Sequence, residues 1–131
     1  NIEPDWSGCF PYSREEETVA YQLSKQVSTK KAEARAEKLV EIQTKITEER
    51  LKQHLEKNYD VLIEEIIDDV ENDLGIALGR AWFQAPEVDG ACIVTYDLDD
   101  KNALEKIQPG KVISAKVLGV TGVDVNTVFL N

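Results

Sequence analysis

Residues 58–131 alternate short apolar runs with turn-forming residues, and that rhythm leaves few folds open. The runs Tyr59–Ile67, Ile76–Phe83, Ala91–Tyr96, Lys111–Gly119 and Asp124–Leu130 are each of strand length. Leu74-Gly75, Asp89-Gly90, Pro109-Gly110 and Gly122 punctuate them, as turns between strands require. Residues 101–107 are expected to form a short helical turn between the third and fourth strands. A sheet this small has few ways to protect two open edges, and closure into a barrel removes them. Five antiparallel strands in a closed, OB-like β-barrel are therefore expected.

Residues 28–56 carry a different pattern. Ser28 or Thr29 is placed to cap a helix, and neither Gly nor Pro occurs until well beyond it. Ala32, Ala36, Leu39, Ile42 and Ile46 recur at three- or four-residue steps and form one apolar stripe. Glu41 stands four residues before Lys45, the favourable order for a helical ion pair. Leu51 and Leu55 are displaced around the helix, which predicts a break or rotation near Thr47–Arg50. At about 1.5 Å per residue the helix would reach roughly 40 Å, and the fold class expected for the whole is α+β. Residues 1–27 mix Trp6, Phe10, Tyr12 and Tyr21 with Glu15-Glu16-Glu17 and two prolines, without a sustained period. They read as the end of a preceding domain, and the absence of an initial Met agrees with a fragment.

Composition narrows the function. The chain is 42% hydrophobic and 31% charged, with no run of about 18 apolar residues that would span a membrane, and residues 1–5 lack the pattern of a signal peptide. A cytoplasmic protein with two reduced thiols, Cys9 and Cys92, is expected. No Cys-x-x-Cys pair is present, so neither zinc nor an iron–sulfur cluster is expected on this chain alone. The formal charge of −10 is concentrated in one part. Residues 58–131 hold 5 basic against 14 acidic side chains, a net −9, whereas residues 1–57 hold 10 against 11. A module that grips phosphates needs positive charge. An acidic barrel suits a basic partner, with nucleic acid unexpected as the main one.

Residues 79–90 are the most distinctive stretch. Pro86 fixes φ and removes a donor, so the second strand cannot continue through it. Asp89-Gly90 supplies residues that tolerate positive φ before the next apolar run. Gly79-Arg80 followed by Ala85-Pro86-Glu87-Val88-Asp89-Gly90 resembles the C-terminal barrel, the TRAM domain, of RimO-type ribosomal protein methylthiotransferases in the MiaB/RimO family. Tyr12-Ser13-Arg14-Glu15-Glu16-Glu17-Thr18 resembles the segment that closes the radical SAM domain of those enzymes. The helix and Tyr59-Asp60-Val61-Leu62-Ile63-Glu64-Glu65 resemble their linker helix and first barrel strand. Glu17 and Glu56 stand where that family usually has Gly, Gln84 stands where Asp is frequent, and residues 123–128 depart from the usual closing strand.

The resemblance implies three parts: residues 1–27 as the end of the radical SAM domain, 28–57 as a linker helix, and 58–131 as the TRAM barrel. It also implies a parent enzyme that uses two 4Fe-4S clusters and S-adenosylmethionine to place a methylthio group on the β-carbon of an aspartate. The implied substrate is the twelfth protein of the small ribosomal subunit. This chain lacks the cluster cysteines, so it would dock substrate rather than catalyse. The sister enzymes of MiaB type, which modify transfer RNA, are the alternative, and their barrel would bind RNA.

Candidate partner-binding residues follow from charge and exposure. Arg80 is the only arginine after residue 57, either a substrate contact or the ion-pair partner of Glu87 or Asp89. Trp82 and Phe83 are adjacent on a strand, so one should enter the core and the other face outward. Asp68, Asp69, Glu71 and Asp73 form an acidic loop without EF-hand spacing: counted from Asp69, Leu74 falls at the glycine position and Arg80 at the bidentate glutamate. That loop is expected to be solvated or to face a basic partner. His54, the lone histidine, is expected on the helix surface.

Overall fold

The computed structural model describes residues 3–67, 74–86 and 88–130. A 3-10 turn at Val19–Gln22 precedes helix α1, Thr29–Leu51, which tightens into a second 3-10 turn at Lys52–His54. Strands β1 (Asn58–Ile67), β2 (Leu74–Arg80) and β3 (Cys92–Asp97) follow. Helix α2 (Lys101–Lys106) then leads to β4 (Val112–Thr121) and β5 (Asp124–Phe129).

Ser28 caps α1 through its backbone: its carbonyl accepts from the N–H groups of Lys31 and Ala32, while its side chain makes no capping bond. The expected Glu41–Lys45 ion pair forms at 3.3 Å. Two expectations for this helix need correction. It does not break near Thr47–Arg50 but runs on to Leu51, as a stretch without Gly or Pro can. Nor is the apolar stripe buried as a unit, because Leu39 and Ile42 are exposed while Ala36, Thr47 and Leu51 are buried. The buried face is set by polar partners. Thr47 donates to the Asp5 carbonyl at 2.8 Å, Gln43 donates to the Pro4 carbonyl at 3.0 Å, and Arg50 pairs with Asp5 at 2.6 Å. Residues 4–7 are thus stitched along one side of α1, and a helix face with these ligands turns inward in place of Leu39 and Ile42.

The five strands close into a ring in the order β1-β2-β3-β5-β4, with β4 returning to β1. Four of the five seams are antiparallel, and β3 runs parallel to β5 from Cys92↔Val125 to Thr95↔Val128. The expected all-antiparallel barrel is therefore corrected to a mixed one. The reason is combinatorial: direction cannot alternate all the way round a closed ring with an odd number of members. One seam must be parallel, and a parallel seam cannot be joined by a tight hairpin.

Inside the ring, Val61, Ile63, Ala77, Val94, Ile113, Ala115, Val117 and Val125 form one cluster with Ala103 and Ile107 from the α2 region and Leu51 from α1. Small residues recur because a narrow barrel leaves little interior volume. The short helix expected at 101–107 is present, and Asp100 caps it by accepting from the Asn102 N–H at 2.9 Å. The β4–β5 hairpin turns on Gly122 (φ +61) between Thr121 and Asp124, the glycine-first arrangement of a type II′ turn.

Asp89-Gly90 does something different from what was expected. Neither residue has positive φ. A side chain on Gly90 would instead run into the backbone carbonyl of Val123 and the carboxylate of Asp124. Gly90 is there so that one backbone can pass close against another. Gly90→Ala should therefore destabilise the barrel by about 1–3 kcal/mol, read as a lower urea midpoint at unchanged m-value.

Candidate partner-binding surface

β2 ends at Arg80 instead of reaching Phe83, and a buried glutamine sets that end. The Gln84 N–H closes a tight turn on the Ala81 carbonyl at 3.0 Å. Its side-chain Oε1 accepts from the Ala81 N–H at 3.0 Å and from the Cys92 thiol at 3.0 Å, and its Nε2 donates to the Gly90 carbonyl at 2.7 Å. One amide thus ties the start, the end and the exit strand of the 81–90 loop together. Asp89 locks the same loop from within by accepting from the Ala85 N–H at 2.7 Å. Asp124 accepts from the Ala91 N–H at 2.8 Å and fixes the entry to β3.

Trp82 and Phe83 lie in this turn and not on a strand as expected, yet they face opposite ways. Trp82 is 80% exposed, and Phe83 packs against the core. Phe83 stacks on His54 at 4.0 Å and meets the Tyr59 ring edge-on at 5.2 Å, while Trp82 stands perpendicular to Phe83 at 5.7 Å. The surface position expected for His54 is corrected here: the ring is buried, and its Nδ1 lies 2.7 Å from the Tyr59 hydroxyl. Burial lowers the His54 pKa, Lys57 adds to that shift, and Asp5 opposes it. Burial also raises the Tyr59 pKa.

Beside Trp82 lies a recess of about 370 Å³ lined by Asn58, Tyr59, Asp60, Trp82 and Ser114. Asn58, Asp60 and Ser114 are all exposed and come from neighbouring strands, with Asp60 directly opposite Ser114. Sequence reasoning had not singled these residues out. The available signal was the alternation Asn58, Asp60 against Tyr59, Val61, which sends the polar pair outward.

Arg80 pairs with Glu64 of β1 and not with Asp89, while the other expected partner, Glu87, lies outside the described residues. Asp89 lines a separate recess of about 210 Å³ with Trp6, Gln43, Thr47 and Val123. Trp6 Nε1 is buried there without a hydrogen-bond partner among the described residues. The structure therefore brings Trp82 close to a polar recess on β1 and β4 and places Asp89 on another. Asp68, Asp69, Glu71, Asp73 and Glu87 lie outside the described residues. No group of three His, Cys, Asp or Glu among the described residues could hold a metal ion. Cys9 and Cys92 are both free thiols, and burial raises the Cys92 pKa to about 11. A 4Fe-4S cluster needs a set of cysteine thiolates, so this chain's own residues do not fit one. No described helix is long and apolar enough to cross a membrane.

The class of structure is thus a five-stranded barrel preceded by a helix, with an exposed aromatic on the connection between β2 and β3. The pattern of the TRAM domain matches residues 57–129, and the chain belongs to that family. It is also similar to the ribosomal protein uS12 methylthiotransferase RimO of Treponema denticola, at 43% identity over 128 residues. The match takes in 97% of this chain and 27% of that protein.

Two measurements test the site as built. Gln84→Ala leaves the Ala81 N–H and Gly90 carbonyl without their partner and should cost about 2 kcal/mol, seen as a lower melting temperature. His54 gives a pH signature. Its folded pKa lies below the unfolded value of about 6.5, so its contribution is complete above that pH and is lost as pH falls through the folded value. The wild-type chain should lose more stability between roughly pH 7 and 5 than His54→Phe does in parallel melts.

Proposed function

We propose that this chain is the substrate-docking region of a radical SAM methylthiotransferase of the RimO type. In this reading residues 1–27 end the radical SAM domain, residues 28–57 link it onward, and residues 58–131 are the TRAM barrel. The supporting observation is that 43% identity extends over 128 residues, through the N-terminal segment and α1 as well as the barrel. The whole enzyme would act in the cytoplasm, modifying the β-carbon of an aspartate in ribosomal protein uS12. S-adenosylmethionine and two 4Fe-4S clusters would be bound by other parts of it. The barrel's role would be to hold the ribosomal protein. Arg80, Trp82, Glu87, Asp89 and the acidic run Asp68, Asp69, Glu71 and Asp73 are the residues proposed for that contact. A net charge of −9 over residues 58–131 supports a basic partner, because complementary fields speed encounter and disfavour like-charged competitors.

One observation favours a second reading. Trp82 is an exposed indole of the kind on which nucleobases stack, as expected for an RNA-binding TRAM module in a transfer RNA methylthiotransferase of MiaB type. Titrating the chain with isolated ribosomal protein uS12 and with transfer RNA, over ionic strengths of roughly 0.05–0.5 M, separates the two. The docking reading expects saturable binding of the ribosomal protein that weakens with salt, and little binding of transfer RNA. Tight transfer RNA binding with a steep salt slope, and none of the ribosomal protein, would sink it.

A further inference from the structure

We infer that the recess beside Trp82 is a receptor for a single cationic side chain, an arginine or lysine presented by a basic polypeptide. The inference rests on the docking reading and makes it specific. Its first support is how Trp82 is held. The indole is 80% exposed, yet it stands on Phe83, which is clamped between His54 and Tyr59. The loop behind it is pinned by Gln84 and Asp89. An aromatic face displayed on a fixed support binds with less loss of conformational freedom than a mobile one.

The second support is where the charge is left over. Two cations sit on neighbouring outward positions, Arg80 across from Leu62 and Lys116 across from Asn58. Each is already matched, Arg80 by Glu64 and Lys116 by Glu56. Asp60 lies on β1 between those two strand partners, Asn58 and Leu62, lines the recess, and forms no ion pair among the described residues. The recess therefore combines one uncompensated carboxylate, one indole, and the acceptor oxygens of Asn58 and Ser114. A guanidinium or ammonium uses all of these at once: a cation–π contact with the indole, a charge-assisted bond to Asp60, and its remaining donors on Asn58 and Ser114. A nucleobase would stack on the indole and bond Asn58 or Ser114, but its phosphates would be brought toward the unpaired Asp60 carboxylate. A divalent cation would find a single carboxylate, short of the oxygen shell it needs.

The test is a titration of the 131-residue chain, followed by the indole N–H resonance of Trp82, with a short peptide containing one arginine. The control is the same peptide carrying citrulline, which keeps the shape and removes the charge. The arginine peptide should shift the Trp82 resonance and leave that of Trp6 unmoved. Asp60→Asn and Trp82→Ala should each weaken its binding at least fivefold, as judged for the latter by competition, with melting temperatures unchanged because both side chains are exposed. Equal binding of the citrulline peptide, or no effect of Asp60→Asn, would overturn the inference. So would an oligonucleotide that shifts Trp82 and binds more tightly to Asp60→Asn. Parallel titrations with ribosomal protein uS12 keep the two claims apart. Undiminished binding of that protein by both variants rejects the recess and leaves docking standing. Selective arginine binding without any binding of that protein supports the recess and rejects docking.

Discussion

Closing a ring with five strands is the constraint from which most of this architecture follows. An odd ring must contain one parallel seam, here β3 against β5. The 81–90 loop joins the antiparallel neighbours β2 and β3, and the longer crossing that the parallel seam needs runs from β3 through α2 to β4. The last residue of the 81–90 loop must pass tightly against Val123, which accounts for Gly90. The seam is tied at its first pair: the Val125 N–H bonds the Ala91 carbonyl at 2.9 Å, and Asp124 takes the Ala91 N–H. A loop fixed at both ends by the barrel's own geometry is a firm base for an exposed tryptophan.

The helix is fastened to the same loop. α1 ends in a 3-10 turn that delivers His54 onto Phe83 and Tyr59. The chain then reverses into β1 through Glu56, which takes a left-handed φ of 64° and donates its N–H to the Val117 carbonyl at 3.0 Å. Glu17 takes a similar φ of 66°. Both stand at positions where the resemblance leads one to expect glycine. The left-handed turns persist without glycine, at a cost of about 1–2 kcal/mol each that the surrounding contacts offset. Helix, barrel and Trp82 loop consequently share one set of aromatic contacts, and a change at His54 would be felt at the exposed indole.

Local signals in the sequence located the elements well. Each of the five apolar runs holds a strand within a few residues, Ser28 starts α1, Gly122 turns the last hairpin, and the 101–107 stretch is helical. What escaped depends on contacts distant in sequence. The parallel seam is a property of closure, not of any strand's pattern. His54 is buried by Phe83, nearly thirty residues later. The α1 stripe at Leu39 and Ile42 is apolar, yet Gln43, Thr47 and Arg50 carry the contact with residues 4–7. Polar ligation between remote segments leaves no periodicity to read. The site was half legible: Trp82 was identified, whereas Asp60 and Ser114 became relevant only through strand pairing.

Net charge and local charge make different statements about a partner. The −9 of residues 58–131 sets a long-range preference, and screening weakens it beyond about 8–10 Å at ordinary salt. Specific recognition needs a charge that is both near and unspent. Exposed ion pairs such as Arg80–Glu64 and Lys116–Glu56 add little to stability, but they remove both cations that flank the recess. That removal turns a diffuse acidic surface into a defined one. Asp60 is left as the local charge, and the adjacent indole gives it directional selectivity for a cation over water or an apolar group. A surface organised this way discriminates by where its charges are cancelled as much as by where they remain.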